Sequence, residues 1–161
     1  MNAELLITES PILPRTEGIA LMKRLLAPAQ AGVEKLHDLA MQFSYSGWKE
    51  LFIRYWQQQS RCEAELDAKI RELGGNPHEN VSRVQSQRID PIAELSDLIA
   101  LDRALLLNAL NQETHLLLMY SEARRLPMSF DLRMLLQRHH LQIHELTERL
   151  AAIYKTYSHH E

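Results

Sequence analysis

Three residues near the C-terminus have the types and the spacing of a metal-binding site. His140, His144 and Glu148 follow one another at intervals of four residues. Residues four apart share one face of an α-helix, and two histidines with this spacing can chelate one transition metal ion. The alternative is that these side chains are solvated beside an apolar seam that passes through His139, and the amphipathic pattern favours that interpretation. We therefore expect no cofactor or, if one is bound, a single ion of zinc or iron.

His139 lies on the apolar seam itself, which predicts a buried histidine rather than a metal ligand. A buried imidazole needs a hydrogen-bond partner, and Gln59 or Gln137 is a candidate for that role. Cys62 also falls on an inward-facing stripe, and an inert, buried thiol is predicted because reactivity needs positive neighbours or a helix N-terminus. Since no glycine-rich phosphate loop, nucleophile elbow or Cys-x-x-Cys motif is present, we identify no catalytic residue.

Apolar residues that recur at intervals of three and four predict four helices that carry these residues. Their predicted ranges are 17–43, 48–73, 91–125 and 129–157. Pro28 lies inside the first range and should either kink that helix or mark its true start. Asp90 and Pro91 should begin the third helix, and Ser129 is a good N-cap for the fourth.

The connections between these helices indicate how they pack. The link 44–47 is short, so the first two helices should form an antiparallel hairpin. The run Gly74-Gly75-Asn76-Pro77 should end the second helix. The polar segment 74–90 is long for a link inside a compact bundle, and one long connection between two hairpins has to travel the length of the bundle. We therefore predict an all-α, antiparallel four-helix bundle at 17–157, between a flexible segment at 1–16 and a frayed tail at 158–161.

The predicted third helix is apolar on more than one side. Leu105, Leu106 and Leu107 are consecutive, as are the apolar residues 116–119, and consecutive residues lie about 100° apart around a helix. Either this helix is unusually well buried in its own bundle, or its outer side meets a partner subunit. We favour the second interpretation, because an exposed apolar patch is costly on a monomer. A homodimer through the third helix is expected.

The second and fourth helices share a motif. Helix two reads Phe52-x6-Gln59-x-x-Cys62, and helix four reads Phe130-x6-Gln137-x-x-His140. Both resemble the rubrerythrin-like pattern, in which a phenylalanine is followed seven residues later by Glu-x-x-His. The helix ending Arg71-Glu72-Leu73-Gly74-Gly75-Asn76-Pro77 resembles that of a bacterial ferritin-like family of unknown function. The resemblance extends over roughly residues 21–157, and it implies a ferritin-like fold.

That resemblance also implies where metal ligands would lie. A two-metal site in such a bundle takes a Glu from each of two helices and a Glu-x-x-His from each of the other two. Glu113 and His140 keep those ligand types. The resemblance places the remaining ligands at four positions with other residue types: Val33, Gln59, Cys62 and Gln137. Because glutamine supplies no negative charge, two divalent cations could not be balanced, and a degenerate metal site is predicted.

A bundle of this kind is expected to be a non-enzymatic structural, regulatory or protein-interaction module. The alternative is a metal-binding or redox protein that uses an altered site around Glu113, His140 and His144. Metal content and the effect of His140→Ala on metal affinity distinguish the two hypotheses.

The charge and hydropathy of the chain argue against two classes of partner. The formal net charge is −3 and the basic residues are spread along the chain, whereas a nucleic-acid surface needs clustered positive charge. No stretch approaches the ~20 uncharged apolar residues of a membrane span. The N-terminus lacks the pattern of a signal peptide, and the single cysteine fits a reducing compartment. A cytoplasmic protein without nucleic-acid or membrane partners is therefore expected.

Overall fold

The computed structural model describes residues 12–79 and 97–158, and this part of the chain is helical and contains no strand. Helix α1 spans Arg15–Gln42, α2 Lys49–Glu72, α3 Leu98–Ala123 and α4 Phe130–Ser158. A short 3₁₀ turn at Ser46–Trp48 precedes α2. The predicted all-α four-helix bundle is thus confirmed. Within the described residues, no helix combines the length and the apolar character needed to cross a membrane.

Two of the predicted helix boundaries rest on side-chain or backbone chemistry that the structure confirms. The Leu132 backbone N–H donates to Ser129 Oγ at 3.4 Å, so Ser129 caps the N-terminus of α4. Gly74 follows the end of α2 with a φ of +89°, a conformation that glycine adopts without the steric cost of a Cβ. The Gly75 N–H then donates to the Ile70 carbonyl at 2.9 Å, which satisfies a carbonyl of the last turn.

Helix α3 starts later in the sequence than predicted. The helix begins at Leu98, and its N-cap is Asp97, whose carboxylate accepts a hydrogen bond from the Ala100 N–H at 3.0 Å. Asp90 and Pro91, the predicted start, lie outside the described residues. Asp97 supplies the carboxylate cap that was predicted for Asp90, seven residues earlier in the sequence.

Helix α1 continues through Pro28, so this proline does not mark the start of the helix. Its carbonyl accepts a hydrogen bond from Gln112 Nε2 on α3 at 3.1 Å. Arg15 and Thr16, which were expected in a flexible segment, belong to α1. Residues 12–14 of the predicted flexible segment are described and precede α1, and Ser158 of the predicted tail is the last residue of α4. Residues 1–11 and 159–161 lie outside the described residues.

Contacts between helices define the order of the bundle. α1 pairs with α2 as a hairpin, and α3 pairs with α4 in the same way. α1 and α3 are antiparallel, since Ser44 beyond the end of α1 contacts Asp102 near the start of α3. Gly75, just beyond α2, lies against Ile19 at the other end of α1. The end of α2 and the start of α3 therefore lie at opposite ends of the bundle, as the predicted pair of hairpins requires; residues 80–96 of the connection lie outside the described residues.

The apolar core forms two clusters, one toward each end of the bundle. One contains residues such as Leu25, Leu66, Leu116 and Leu136, and the other contains residues such as Leu36, Phe52, Leu106 and Leu150. Each fully buried leucine contributes roughly 1.5–3 kcal/mol. Between the two clusters, α1, α2 and α3 bring polar or small residues into the interior, and these define the candidate site.

Candidate functional site

The centre of the bundle contains a layer of four residues from three helices: Gly32, Gln59, Cys62 and Glu113. A Cβ on Gly32 would lie 2.6 Å from Glu113 Oε1 and 3.4 Å from Gln59 Nε2. Only glycine therefore leaves space on α1 for the Glu113 carboxyl in its present position. The resemblance placed the α1 ligand position at Val33, but Val33 is partly exposed and it is buried Gly32 that faces Glu113.

Glu113 is the one acid in this central layer. Its side chain is 0% exposed, and neither of its carboxyl oxygens has a hydrogen-bond partner among the described residues. Burial raises the pKa of Glu113 to about 8, because the ionised form is poorly solvated in the interior. At neutral pH this carboxyl is mostly protonated, so it contributes little negative charge to the centre.

The α2 residues of the layer are buried and carry no formal charge. Gln59 is 2% exposed, and its Nε2 atom has no hydrogen-bond partner among the described residues. The Cys62 thiol donates to Gln142 Oε1 on α4 at 3.2 Å. Burial, with a smaller contribution from Glu113, raises the pKa of Cys62 to about 12. The thiol is therefore protonated at neutral pH, as expected for an inert cysteine.

His139 and Tyr120 lie beside this layer, in one of the two apolar clusters. The Tyr120 hydroxyl is 2.9 Å from His139 Nδ1, so the partner of this buried histidine is a tyrosine rather than Gln59 or Gln137. Burial, together with Arg138, lowers the pKa of His139 to about 4, so the ring is neutral. His139 Nε2 has no hydrogen bond but lies 3.7 Å from Glu65 Oε1.

The position of Glu65 indicates the tautomer of His139. A proton on Nε2 points toward the Glu65 carboxylate, whereas a lone pair there would face its negative charge. With the proton on Nε2, Nδ1 accepts a hydrogen bond from the Tyr120 hydroxyl. His139 is therefore a core histidine, and the nitrogen that would bind a metal is occupied by Tyr120.

His140, a predicted ligand, has both ring nitrogens engaged on the seam between α3 and α4. Arg124 Nη1 is 3.0 Å from its Nδ1, and Ser121 Oγ is 3.0 Å from its Nε2. Arginine only donates, so Nδ1 accepts. The Ser121 hydroxyl donates to the Leu117 carbonyl at 2.9 Å, so it accepts from Nε2–H. Burial, Arg124 and His144 lower the pKa of His140.

The other predicted ligands on α4 lie outside the core. His144 and Glu148 are exposed, with His144 Nε2 3.5 Å from Glu148 Oε1. Gln137 is exposed as well, while Leu136 and His139, each one residue earlier than the motif positions, are fully buried. Glu113 at the centre is thus not brought together with the histidines on the outer side of α4. In residues 12–79 and 97–158, no three His, Cys, Asp or Glu side chains form a group that could hold a metal ion.

The residues at the centre do not fit the two-metal group of ferritin-like bundles. Such a group needs carboxylates from all four helices to neutralise two buried cations. Here the facing residues are a glycine on α1, an amide and a thiol on α2, a protonated acid on α3, and Leu136 and His139 on α4. One carboxyl cannot balance two divalent ions.

Comparison with known proteins supports the fold. No protein-family model and no curated protein matches the chain. Among solved structures, the chain is similar to a two-domain protein from Anabaena variabilis ATCC 29413 that contains DJ-1/ThiJ/PfpI-like and ferritin-like domains. The superposition has a TM-score of 0.72 at 13% identity and covers 92% of this chain, which spans only 39% of that protein. At this identity the likeness bears on architecture alone, and the chain has a ferritin-like fold.

Proposed function

We propose that this protein is a ferritin-like bundle with a degenerate di-metal site, and that it works as a non-enzymatic protein-interaction module. The proposal rests on one observation, the single protonated acid at the centre. Glu113 has a pKa near 8 and faces Gly32, Gln59 and Cys62, which are uncharged.

Charge balance is the reason that this observation supports the proposal. Two divalent cations bring four positive charges into a medium where an uncompensated ion is very costly. Even when ionised, Glu113 offers one negative charge. The low pKa of His139 and the high pKa of Cys62 show that burial also disfavours charge on its neighbours.

Metal analysis of protein purified without an affinity tag tests this proposal. We expect well under one equivalent of iron or manganese per chain, both as purified and after incubation with ferrous iron followed by desalting. A chain that retains two equivalents of tightly bound metal contradicts the proposal. A Glu113→Gln variant is the matched control, because its metal content should equal that of the parent if no metal is held at the centre.

A second candidate function, the binding of one zinc or iron ion, is favoured by a different observation. Both carboxyl oxygens of buried Glu113 are acceptors without hydrogen-bond partners among the described residues. Unsatisfied buried groups are rare and can mark a bound ion. This function predicts tight binding of one equivalent that Glu113→Gln weakens. The predicted outer site is tested separately, because His140→Ala should weaken it while Glu113→Gln should not.

The interaction part of the proposal is a homodimer, with α3 as the surface predicted from the sequence. Leu117 and Met119 pack against the protein's own core, while α3 exposes Leu98 and Ile99 in its first turn and, on its outer side, Leu107 (37% exposed) and Leu118 (58% exposed). Analytical ultracentrifugation tests the homodimer, and Leu118→Asp tests the α3 surface. The cytoplasmic location stays a prediction from the sequence.

A further inference from the structure

Helix α4 carries an apolar stripe on its outer face. Phe130, Met134 and Leu141 are 74%, 48% and 62% exposed. Their positions on a helix differ by no more than about 40°, because 11 residues complete just over three turns. The buried residues of α4, such as Leu136 and Ile143, lie on the opposite side. The stripe therefore points directly away from the protein's own bundle.

The stripe is self-complementary in size about Leu141. Phe130 lies 11 residues before Leu141, and Ala152, which is exposed on the same face, lies 11 residues after it. Suppose that a second copy of α4 runs in the opposite direction, with Leu141 against the partner's Leu141. The large ring of Phe130 then meets the small side chain of the partner's Ala152. Alternation of large and small side chains is what allows two helices to pack closely.

The charges beside the stripe follow the same symmetry. The first half of the stripe is flanked by Asp131, Arg133 and Arg138, and the second half by Glu145 and Arg149, while Glu148 lies on the line of the stripe itself; all six are exposed. In the antiparallel arrangement Arg138 lies near the partner's Glu145. Arg133 likewise lies near the partner's Glu148, and Asp131 near the partner's Arg149, each within two positions of exact register. Each of these pairs joins opposite charges, and the two-fold symmetry places each pair twice in the dimer.

A parallel arrangement does not have this property. In a parallel, in-register pair each side chain meets its own copy, so Arg133 would face the partner's Arg133, and Glu148 the partner's Glu148. Like charges in such positions are repulsive. Some of the charges also have partners within the chain, since Arg138 pairs with Glu65 and His144 lies 3.5 Å from Glu148. A guanidinium has five N–H donors, so Arg138 can engage two carboxylates.

We propose that α4 is the surface through which two copies of this chain associate, as an antiparallel helix pair centred on Leu141. The inference rests on the proposed interaction role and replaces α3 with α4 as the contact surface. The outer side of α3 is a weaker candidate. Polar residues interrupt both faces, Asn111 and Thr114 on α3 and Gln137 on α4, but α3 has no exposed large apolar residue between Leu107 and Leu118, whereas α4 has three within 12 residues. With one helix per subunit, the interface is smaller than an obligate one, and association is reversible and concentration-dependent.

Sedimentation velocity over a range of concentrations tests the proposal with a matched pair of variants. Leu141→Asp places two carboxylates against each other on the two-fold axis and should weaken dimerisation roughly tenfold or more. Leu118→Asp makes the same change at a similarly exposed leucine on α3 and should leave dimerisation unchanged. Because both side chains are mostly solvated, circular dichroism and the thermal midpoint should confirm that both variants fold.

A charge reversal tests the antiparallel direction. Asp131→Arg should weaken dimerisation, and adding Arg149→Asp should restore it, because the exchanged charges again lie opposite each other. An exposed pair of this kind is worth roughly a two- to fivefold change. A dimer broken by Leu118→Asp rather than Leu141→Asp overturns the proposal in favour of α3, and a parent chain that stays monomeric overturns it altogether. Neither result affects the metal analysis, so the degenerate site stands or fails separately.

Discussion

Two buried acids on the same face of α3 have opposite environments. Asp102 is 2% exposed, and its carboxylate accepts hydrogen bonds from the Ser44 backbone N–H, at 2.8 Å, and from the Ser44 hydroxyl. Glu113, 11 residues later on the helix, is 0% exposed and has no hydrogen-bond partner for either oxygen. The cost of burying a carboxyl is offset by hydrogen bonds at Asp102 and by uptake of a proton at Glu113.

This difference separates a structural acid from one that packing does not explain. Asp102 joins the start of α3 to the residues after α1 and so fixes one end of the bundle. Glu113 forms no such link among the described residues. A buried polar group without partners lowers stability. Stability measurements on the two acids should therefore change in opposite directions.

Asp102→Ala should have the largest effect. The substitution removes two hydrogen bonds to a buried carboxylate and should lower the free energy of unfolding by about 2–3 kcal/mol. Urea denaturation followed by circular dichroism measures the change. Asp97→Ala is the matched control, since it removes the cap of the same helix and should cost only about 1 kcal/mol. A loss at Asp102 no larger than that at Asp97 would mean that the contact with Ser44 is a surface interaction.

Glu113→Gln should remove a dependence of stability on pH. The pKa of Glu113 is raised from 4.5 to about 8 in the folded protein, so between these values the folded state holds a proton that the unfolded state has lost. The free energy of unfolding therefore decreases as pH rises toward 8, by at most about 1.4 kcal/mol per pH unit. The variant lacks this decrease, so between pH 6.5 and pH 8 the parent should lose about 1.5–2 kcal/mol of stability relative to the variant.

The titration of His139 limits the pH range in which the effect of Glu113 on stability is visible. Its pKa is lowered from 6.5 to about 4, so the stability that its neutral ring contributes is present above pH 6.5 and is lost as pH falls toward 4. The slopes of the two groups have opposite signs and largely cancel between pH 4.5 and 6.5. Above pH 6.5 only the Glu113 slope remains. Urea titrations at pH 6.5, 7.2 and 8 distinguish the parent from the variant, and parallel curves would contradict the raised pKa of Glu113.

The comparison also shows what local sequence could predict. Helix ends such as Ser129 and Gly74 depend on neighbouring residues, so their chemistry is visible in a short segment. The face that a residue presents to the core depends on a shift of one position, which rotates it by about 100°. The ligand positions implied by the resemblance are one residue off for this reason: Gly32 rather than Val33 lies inside, and His139 rather than His140, although the apolar seam itself predicted a buried His139. The role of Asp102 could not be predicted, because its partner Ser44 is 58 residues away in sequence.

Gly32→Ala should have an intermediate effect that depends on Glu113. A Cβ at this position would lie 2.6 Å from Glu113 Oε1, so the carboxyl must move within a packed interior. The expected loss is about 1–2 kcal/mol. In a Glu113→Ala background the clash disappears, and the same substitution should be neutral or stabilising, because alanine favours the helix over glycine. A double-mutant cycle measures this coupling, and additive effects would show that the two residues do not touch.

Tyr120→Phe should have the smallest effect. It removes the hydroxyl 2.9 Å from His139 Nδ1 but keeps the buried ring, so the loss should be about 1 kcal/mol from one unsatisfied nitrogen. The consequence specific to this contact is the behaviour of His139. Since Nδ1 accepts from Tyr120 and Nε2 faces Glu65, losing the hydroxyl frees Nδ1 and allows the other tautomer. Nitrogen-detected NMR of the imidazole should report the proton on Nε2 in the parent and a mixture in the variant. A parent with its proton on Nδ1 would contradict this assignment, because Nδ1 would then donate to the Tyr120 oxygen instead of accepting from its hydroxyl.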